Sequence, residues 1–141
     1  MIITAVPQEQ VPMVWDKASK LLQKATDTTG PRFGVFDIFD GLLGNKLALW
    51  LVFEEGEKDP IAAFTTRIIQ YNGCKSLAID WVGGDKMRQW LPESMNILKR
   101  FAKDNGCSRL EGYGRRAWGR VLARDGWEPE YTAYKLELND E

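Results

Sequence analysis

The sequence has no histidine and only two cysteines, Cys74 and Cys107. Without imidazole there can be no Ser-His or Cys-His nucleophile pair, and two thiols alone do not complete a tetrahedral zinc site, so no metal is expected. The two cysteines could form one disulfide at most, and free thiols in a reducing compartment are the expectation. Charge of one sign is also missing. Nineteen basic residues against twenty acidic ones leave a net charge of -1, which removes the global electrostatic case for nucleic acid or an anionic membrane. No apolar run is long enough to span a bilayer. The opening MIITAVPQEQ lacks both the basic segment and the continuous apolar stretch of a signal peptide, so a cytoplasmic protein is expected. Internal repeats, low-complexity tracts and linkers are absent too.

What is present describes one domain spanning residues 1–141. A chain of this length that is 44% hydrophobic and 28% charged can bury a core of its own. Ile2 to Val6 reads as a strand ended by Pro7. The spacing of Val11, Val14, Trp15, Ala18, Leu21, Leu22 and Ala25 predicts a helix with one buried face, and Pro12 suits its first turn. Thr26 to Gly34 has the composition of a loop. Val35 to Leu43 predicts a short helix with Phe36, Phe39 and Leu43 on one face. Phe33, Phe36 and Phe39 either line a substrate slot or pack in the core.

Leu47 to Glu54 is apolar almost throughout, as in a strand covered on both faces, and Ile61 to Tyr71 is its hairpin partner. Asn72-Gly73 supplies the positive backbone angles of a tight turn into the next strand, Lys75 to Val82. That strand alternates through Leu77, Ile79 and Trp81, which places Asp80 on the opposite face. It meets Gly83-Gly84 just before the helical stripe of Met87, Trp90, Leu91, Met95, Leu98, Phe101 and Ala102. A strand passing through glycines into a helix is an anion-binding geometry or a plain turn. Asp85 is placed to cap the helix, Pro92 predicts a kink or restart near Leu91, and Asn105-Gly106 marks the stop. A strand at Arg109 to Tyr113, a helix at Arg116 to Asp125 and a last strand from Trp127 to Leu138 complete the chain.

The order β-α-α-β-β-β-α-β-α-β, with the opening ITAVPQEQVPMV and the later NGCSRLE and GW-E-P segments, resembles the GNAT family of acyl-CoA-dependent N-acetyltransferases over nearly the full length. The resemblance implies an α+β fold: a single GNAT-like domain with a mixed, mostly antiparallel twisted sheet, helices on both faces and central strands that splay apart. It also implies acetyl-CoA as cofactor. The thioester would lie beside Ile79, Trp81 and Val82, and the pyrophosphate would lie on the following helix start. The family signature is Q or R, two residues, G, one residue, then G or A. Its arginine falls on Lys86, and its glycines fall on Gln89 and Leu91, so both glycines are missing. A shifted loop is the alternative, with Gly83 and Gly84 giving the approach and Lys86 or Arg88 neutralising the phosphates. The tyrosine that protonates the leaving thiolate in many members falls on Leu122. Tyr113, Tyr131 and Tyr134 are the substitutes near in sequence, and Asp80 or Glu111 is the candidate general base.

GYGRRAWGR sets Arg115, Arg116 and Arg120 around Trp118. Such a cluster binds CoA phosphates, a carboxylate substrate or an acidic protein surface, or is a solvated helix face. This segment, together with Trp50, is similar to the small GNAT-like proteins of tailed bacteriophages. The resemblance implies a phage-encoded protein of the host cytoplasm or the virion. Two functions follow. One is acetyl transfer from acyl-CoA to an amine. The other is an inactive scaffold, a phage structural or protein-binding component that meets a partner in phage assembly through Arg115, Arg116 and Trp118. Nucleic-acid binding ranks behind both.

Overall fold

The computed structural model describes residues 1–114 and 118–138. Ile2–Val6 forms strand β1, and a single turn at Gln8–Gln10 leads into helix α1, Val11–Asp27. Val11, Ala18, Leu22 and Thr26 are the buried positions of α1, the three-four periodicity read from the sequence. The helix runs two residues into the stretch expected to be loop, because Thr26 is buried and its hydroxyl turns back to the Gln23 carbonyl at 2.9 Å. Helix α2 is Val35–Leu43, with the Gly34 amide donating to Asp37 Oδ2 at 2.8 Å. Its buried face is Ile38 and Leu42 rather than the predicted Phe36 and Leu43, and Phe36 is 78% exposed.

Strands β2 (Ala48–Phe53), β3 (Ala62–Gln70) and β4 (Lys75–Gly84) form the predicted meander, closed at Asn72-Gly73 by a bond from the Tyr71 amide to the Cys74 carbonyl. Helix α3, Met87–Asp104, crosses to β5, Arg109–Gly112, and α4 is Trp118–Ala123. The sheet order is β1-β2-β3-β4-β5, antiparallel except for the parallel pair β4 and β5. Pro92 does not interrupt α3, because the carbonyl it leaves unbonded belongs to exposed Arg88 in the first turn. Nor does Asp85 cap the helix. The capping position is Lys86, held in the left-handed region at φ 58°. Residues 127–138 form no strand, a correction to the sequence expectation. Trp127 lies against Gly112 and Glu130 bonds Arg109, so this segment runs opposite to β5. Both contacts are made by side chains, and Pro129 between them has no amide proton to give to a strand ladder.

Each face of the sheet carries its own apolar layer. On one side α3 covers Trp50, Val52, Phe64 and Leu77, with Trp118 and Trp127 packed at the margin. Trp50 stacks on Phe64 and Phe64 on Trp90, with centroids 5.7 and 5.8 Å apart, each pair contributing about 0.5–1.5 kcal/mol beyond its burial. On the other side α1 and α2 cover Leu49, Leu51 and Ala63.

The feature that positions the site is a bulge. Thr65 pairs with Trp81 and Thr66 with Ile79, so Asp80 is an extra residue in β4. Ile79 packs on the α3 side, but Trp81 packs on the α1–α2 side. Unbroken alternation had placed the two together, so this too corrects the sequence reading.

Gly83 is fixed by close packing. A Cβ there would lie 1.9 Å from the Leu21 carbonyl oxygen in α1. Gly83→Ala is therefore expected to cost at least about 3 kcal/mol in urea denaturation. Gly119→Ala, whose Cβ meets open space on α4, should raise stability by up to about 1 kcal/mol.

Candidate functional site

The bulge delivers Asp80 to a cleft of about 590 Å³ between α2, the α1–α2 loop and the sheet, lined among others by Arg32, Phe33, Arg67, Asp80, Trp81 and Tyr113. Arg67 grips Asp80 with two bonds, Nε to Oδ2 at 2.8 Å and a terminal nitrogen to Oδ1 at 3.2 Å. Only 12% of the Asp80 side chain is exposed. The bond to Asp80, despite partial burial, holds the Arg67 guanidinium protonated more firmly than usual. Phe33 meets the Trp81 ring edge to face at 5.4 Å and forms an apolar wall.

Beside it lies a second network. Glu111 is buried, and its Oε2 accepts from the hydroxyls of Tyr71 at 2.9 Å and Tyr113 at 3.1 Å. Burial pushes its pKa upward. The hydroxyls of Ser76, Tyr71 and Tyr113 and the charge of Arg109 outweigh that, so Glu111 titrates below the ordinary carboxylate range. The Ser76 contribution is the weak one, since Ser76 Oγ and Glu111 Oε1 make no bond of hydrogen-bond geometry. Tyr113 is raised well above an ordinary phenol by Tyr131, burial, Tyr71 and Glu111, and Tyr71 is raised chiefly by its bond to Glu111. The single hydroxyl proton of Tyr113 is given to Glu111, so what Tyr113 offers the cleft is its oxygen lone pairs, an acceptor.

The opposite side of β4 is open. Its pairing with β5 covers Ser76 to Ile79 against Arg109 to Gly112, and beyond that, among the described residues, β4 continues to Gly84 paired only with β3. Ile79 and Val82 face α3 along this gap. Beyond Ile79 this edge of β4 has no β5 partner, and strand amides directed to an unpaired edge are donors of the kind a carbonyl needs. At the start of α3 the two glycines are tightly packed. A Cβ on Gly84 would lie 2.3 Å from the Ile61 carbonyl oxygen, so both glycines are accounted for by packing on α1 and β3. The amides of Gln89 and Trp90 turn back onto the Lys86 carbonyl, and Lys86 Nζ bonds Glu54 at 2.8 Å. Arg88 is exposed.

Tyr134 is 91% exposed and is not among the residues lining the cleft. Trp118 is half-buried at the α3-side layer and Arg120 is exposed on α4, while Arg115 and Arg116 lie outside the described residues. Among the described residues no cluster of side chains suits a metal ion, and no helix is long and apolar enough to cross a membrane. The reading from sequence missed Arg67. Its signal was available, since the hairpin register set by Asn72-Gly73 places Arg67 opposite Ala78 and therefore diagonal to Asp80 on one face.

A strand splayed from its parallel neighbour, with two helices on each face, is the GNAT fold, and solved structures agree. The chain is similar to an aminoglycoside acetyltransferase from an uncultured soil metagenomic sample, in complex with sisomicin, at TM-score 0.70 and 12% identity, covering 98% of this chain and 96% of that one. It is similar to the ribosomal-protein-alanine N-acetyltransferase of Brucella melitensis biovar Abortus 2308 at TM-score 0.67 and 12% identity, covering 98% and 100%. A GNAT family acetyltransferase of Staphylococcus aureus aligns at TM-score 0.64 and 13% identity, covering 97% and 98%. No protein-family model and no curated protein matches the sequence. At these identities the likeness establishes the fold.

The sign of the pH dependence follows from Glu111. Its folded-state pKa lies below the ordinary 4.5, so its stabilisation is complete above that pH and is lost as the pH falls through the folded value. Urea midpoints should fall on acidification in the parent and fall less in Glu111→Gln, which at neutral pH should be less stable by about 1–3 kcal/mol.

Proposed function

We propose that this protein transfers an acyl group from an acyl thioester to an amine, with the acceptor in the Asp80 cleft and the donor along the open edge of β4. One observation carries the reading. Pairing with β5 stops at Ile79, and the very next residue is the bulged Asp80, so two openings reach the same stretch of strand from opposite faces. Bound acetyl-CoA would supply the activated acetyl group. The amides of β4 beyond Ile79 would polarise its carbonyl. Asp80, held on the cleft floor by Arg67, would accept from the incoming amine through the remaining lone pairs of its carboxylate, and Phe33 and Trp81 form the apolar wall beside it. Proton transfer to solvent passes along the Asp80 side of the cleft. Glu111 is too enclosed to touch the acceptor and instead positions the Tyr113 hydroxyl. The leaving thiolate takes its proton from water.

The start of α3 favours a second reading, a scaffold without turnover, because Lys86 is engaged by Glu54 and the glycines are used in packing. A phage origin and an assembly partner belong with that reading, resting on the Arg-Trp segment of the sequence.

Calorimetry with acetyl-CoA, and thiol release with a panel of primary amines, separates the two. Binding is expected to be weak, and Lys86→Ala should change it less than about twofold. Asp80→Asn should lower kcat/KM by about 10²-fold or more, on the order of 3 kcal/mol of lost stabilisation. No heat at millimolar acetyl-CoA and no thiol release would overturn the transferase and leave the scaffold.

A further inference from the structure

The Asp80 cleft is uneven in what it offers a ligand. Three of its side chains have their own bonds settled inside the protein. The Tyr113 hydroxyl gives its proton to Glu111, the Thr29 hydroxyl gives its proton to the Thr26 carbonyl at 2.6 Å, and each oxygen of Asp80 is bonded by Arg67. What these three turn to a ligand is lone pairs, so they take N–H donors such as an amine presents. Arg32 is the opposite case. It lines the same cleft and is exposed, and among the described residues no carboxylate lies within ion-pair distance of it, although Asp37 and Asp80 share the lining. Its guanidinium carries five N–H donors in a fork that matches a carboxylate. Phe33, set edge to face on Trp81, is 48% exposed and leaves an apolar wall open to solvent.

We propose that the acceptor is a primary amine that also carries a carboxylate and an apolar group, the chemistry of a free amino acid or a short peptide. Arg32 forks onto the carboxylate, the amine donates to Asp80 and Tyr113, and the apolar group lies on Phe33 and Trp81. The inference rests on the reading of this cleft as the acceptor site.

Charge separates this class from the polycations. Arg32 and Arg67 stand against Asp37 and Asp80 on the lining, so its charges balance, and Asp80 is already met by Arg67. A ligand that is positive at one end and negative at the other suits such a lining. A polyamine, positive throughout, meets two arginines and no surplus of carboxylate. Size agrees, because a cleft of about 590 Å³ lies within the range of small-molecule sites.

The test is calorimetry on the full chain with L-phenylalanine and with the dipeptide glycyl-phenylalanine, each compared with its own C-terminal amide. Titrations are run with and without coenzyme A, which has no acyl group to transfer. At least one of the two acids is expected to bind the parent about fivefold or more tighter than its amide, the gain of an arginine fork at an exposed site. Which acid shows the preference tells a free amino acid from a peptide. Arg32→Gln should bring the ratio of acid to amide below about twofold and leave the affinity for the amide within about twofold of the parent's. A mere loosening of the cleft would weaken acid and amide alike. Amides that bind as well as the acids, no binding of any of these probes at millimolar concentration, a preference that survives Arg32→Gln, or spermidine binding more tightly than either acid would each overturn the proposal. Thiol release from acetyl-CoA is scored separately. A preference for the acid without thiol release supports the carboxylate site and sinks the transferase, whereas thiol release with the amides alone does the reverse.

Discussion

One extra residue in β4 governs the functional half of the molecule. Were the strand regular, Trp81 would fall with Ile79 on the α3 side, and the α1–α2 side would lose an aromatic wall. The bulge at Asp80 instead turns two consecutive side chains to one face. It also bends and twists the strand, and from this point β4 and β5 no longer pair. A cleft and a gap thus arise from the same local event on opposite sides of the sheet. The cost is a disrupted ladder, and the Arg67 fork on Asp80 helps offset it.

The two polar networks on the cleft face have different characters. Arg67 and Asp80 form a partly enclosed ion pair in which each Asp80 oxygen is bonded by the guanidinium. Glu111 is enclosed and held charged by hydroxyls, which is the environment of a residue that orients others. Tyr113 joins the two, bonded to Glu111 and lining the cleft beside Asp80. The glycine pair before α3 shows how a sequence pattern and its physical use can part company. Gly83-Gly84 has the look of a phosphate loop, but the space where its side chains would be is filled by the backbones of α1 and β3.

Much of the fold was legible because its signals are local. Asn72-Gly73 fixed the central hairpin, and the stripe from Met87 to Ala102 fixed the long helix. The order of strands followed from these and from the family resemblance. Three features were not legible, each for a non-local reason. The bulge depends on how β3 meets β4, which alternation along one strand cannot reveal. The face that α2 buries depends on α1, so Ile38 and Leu42 took the place of Phe36 and Leu43, while Phe39 packs beside them against Trp15. The last strand failed because residues 127–130 meet β5 through the side chains of Trp127 and Glu130, and Pro129 has no amide for a ladder. Of the candidate site residues, Asp80 lines the cleft and Glu111 is joined to it through Tyr113. Tyr134 is exposed and does not line the cleft, and Arg67 emerged only with the register in hand.

The claim at the centre of this account is that the unpaired edge of β4 holds the acyl donor. Amide hydrogen exchange of the full chain with and without saturating acetyl-CoA tests it most directly. The account predicts added protection confined to Asp80 through Gly84, with the Lys86 to Trp90 turn little changed. Protection at the α3 start with none along β4 would contradict it.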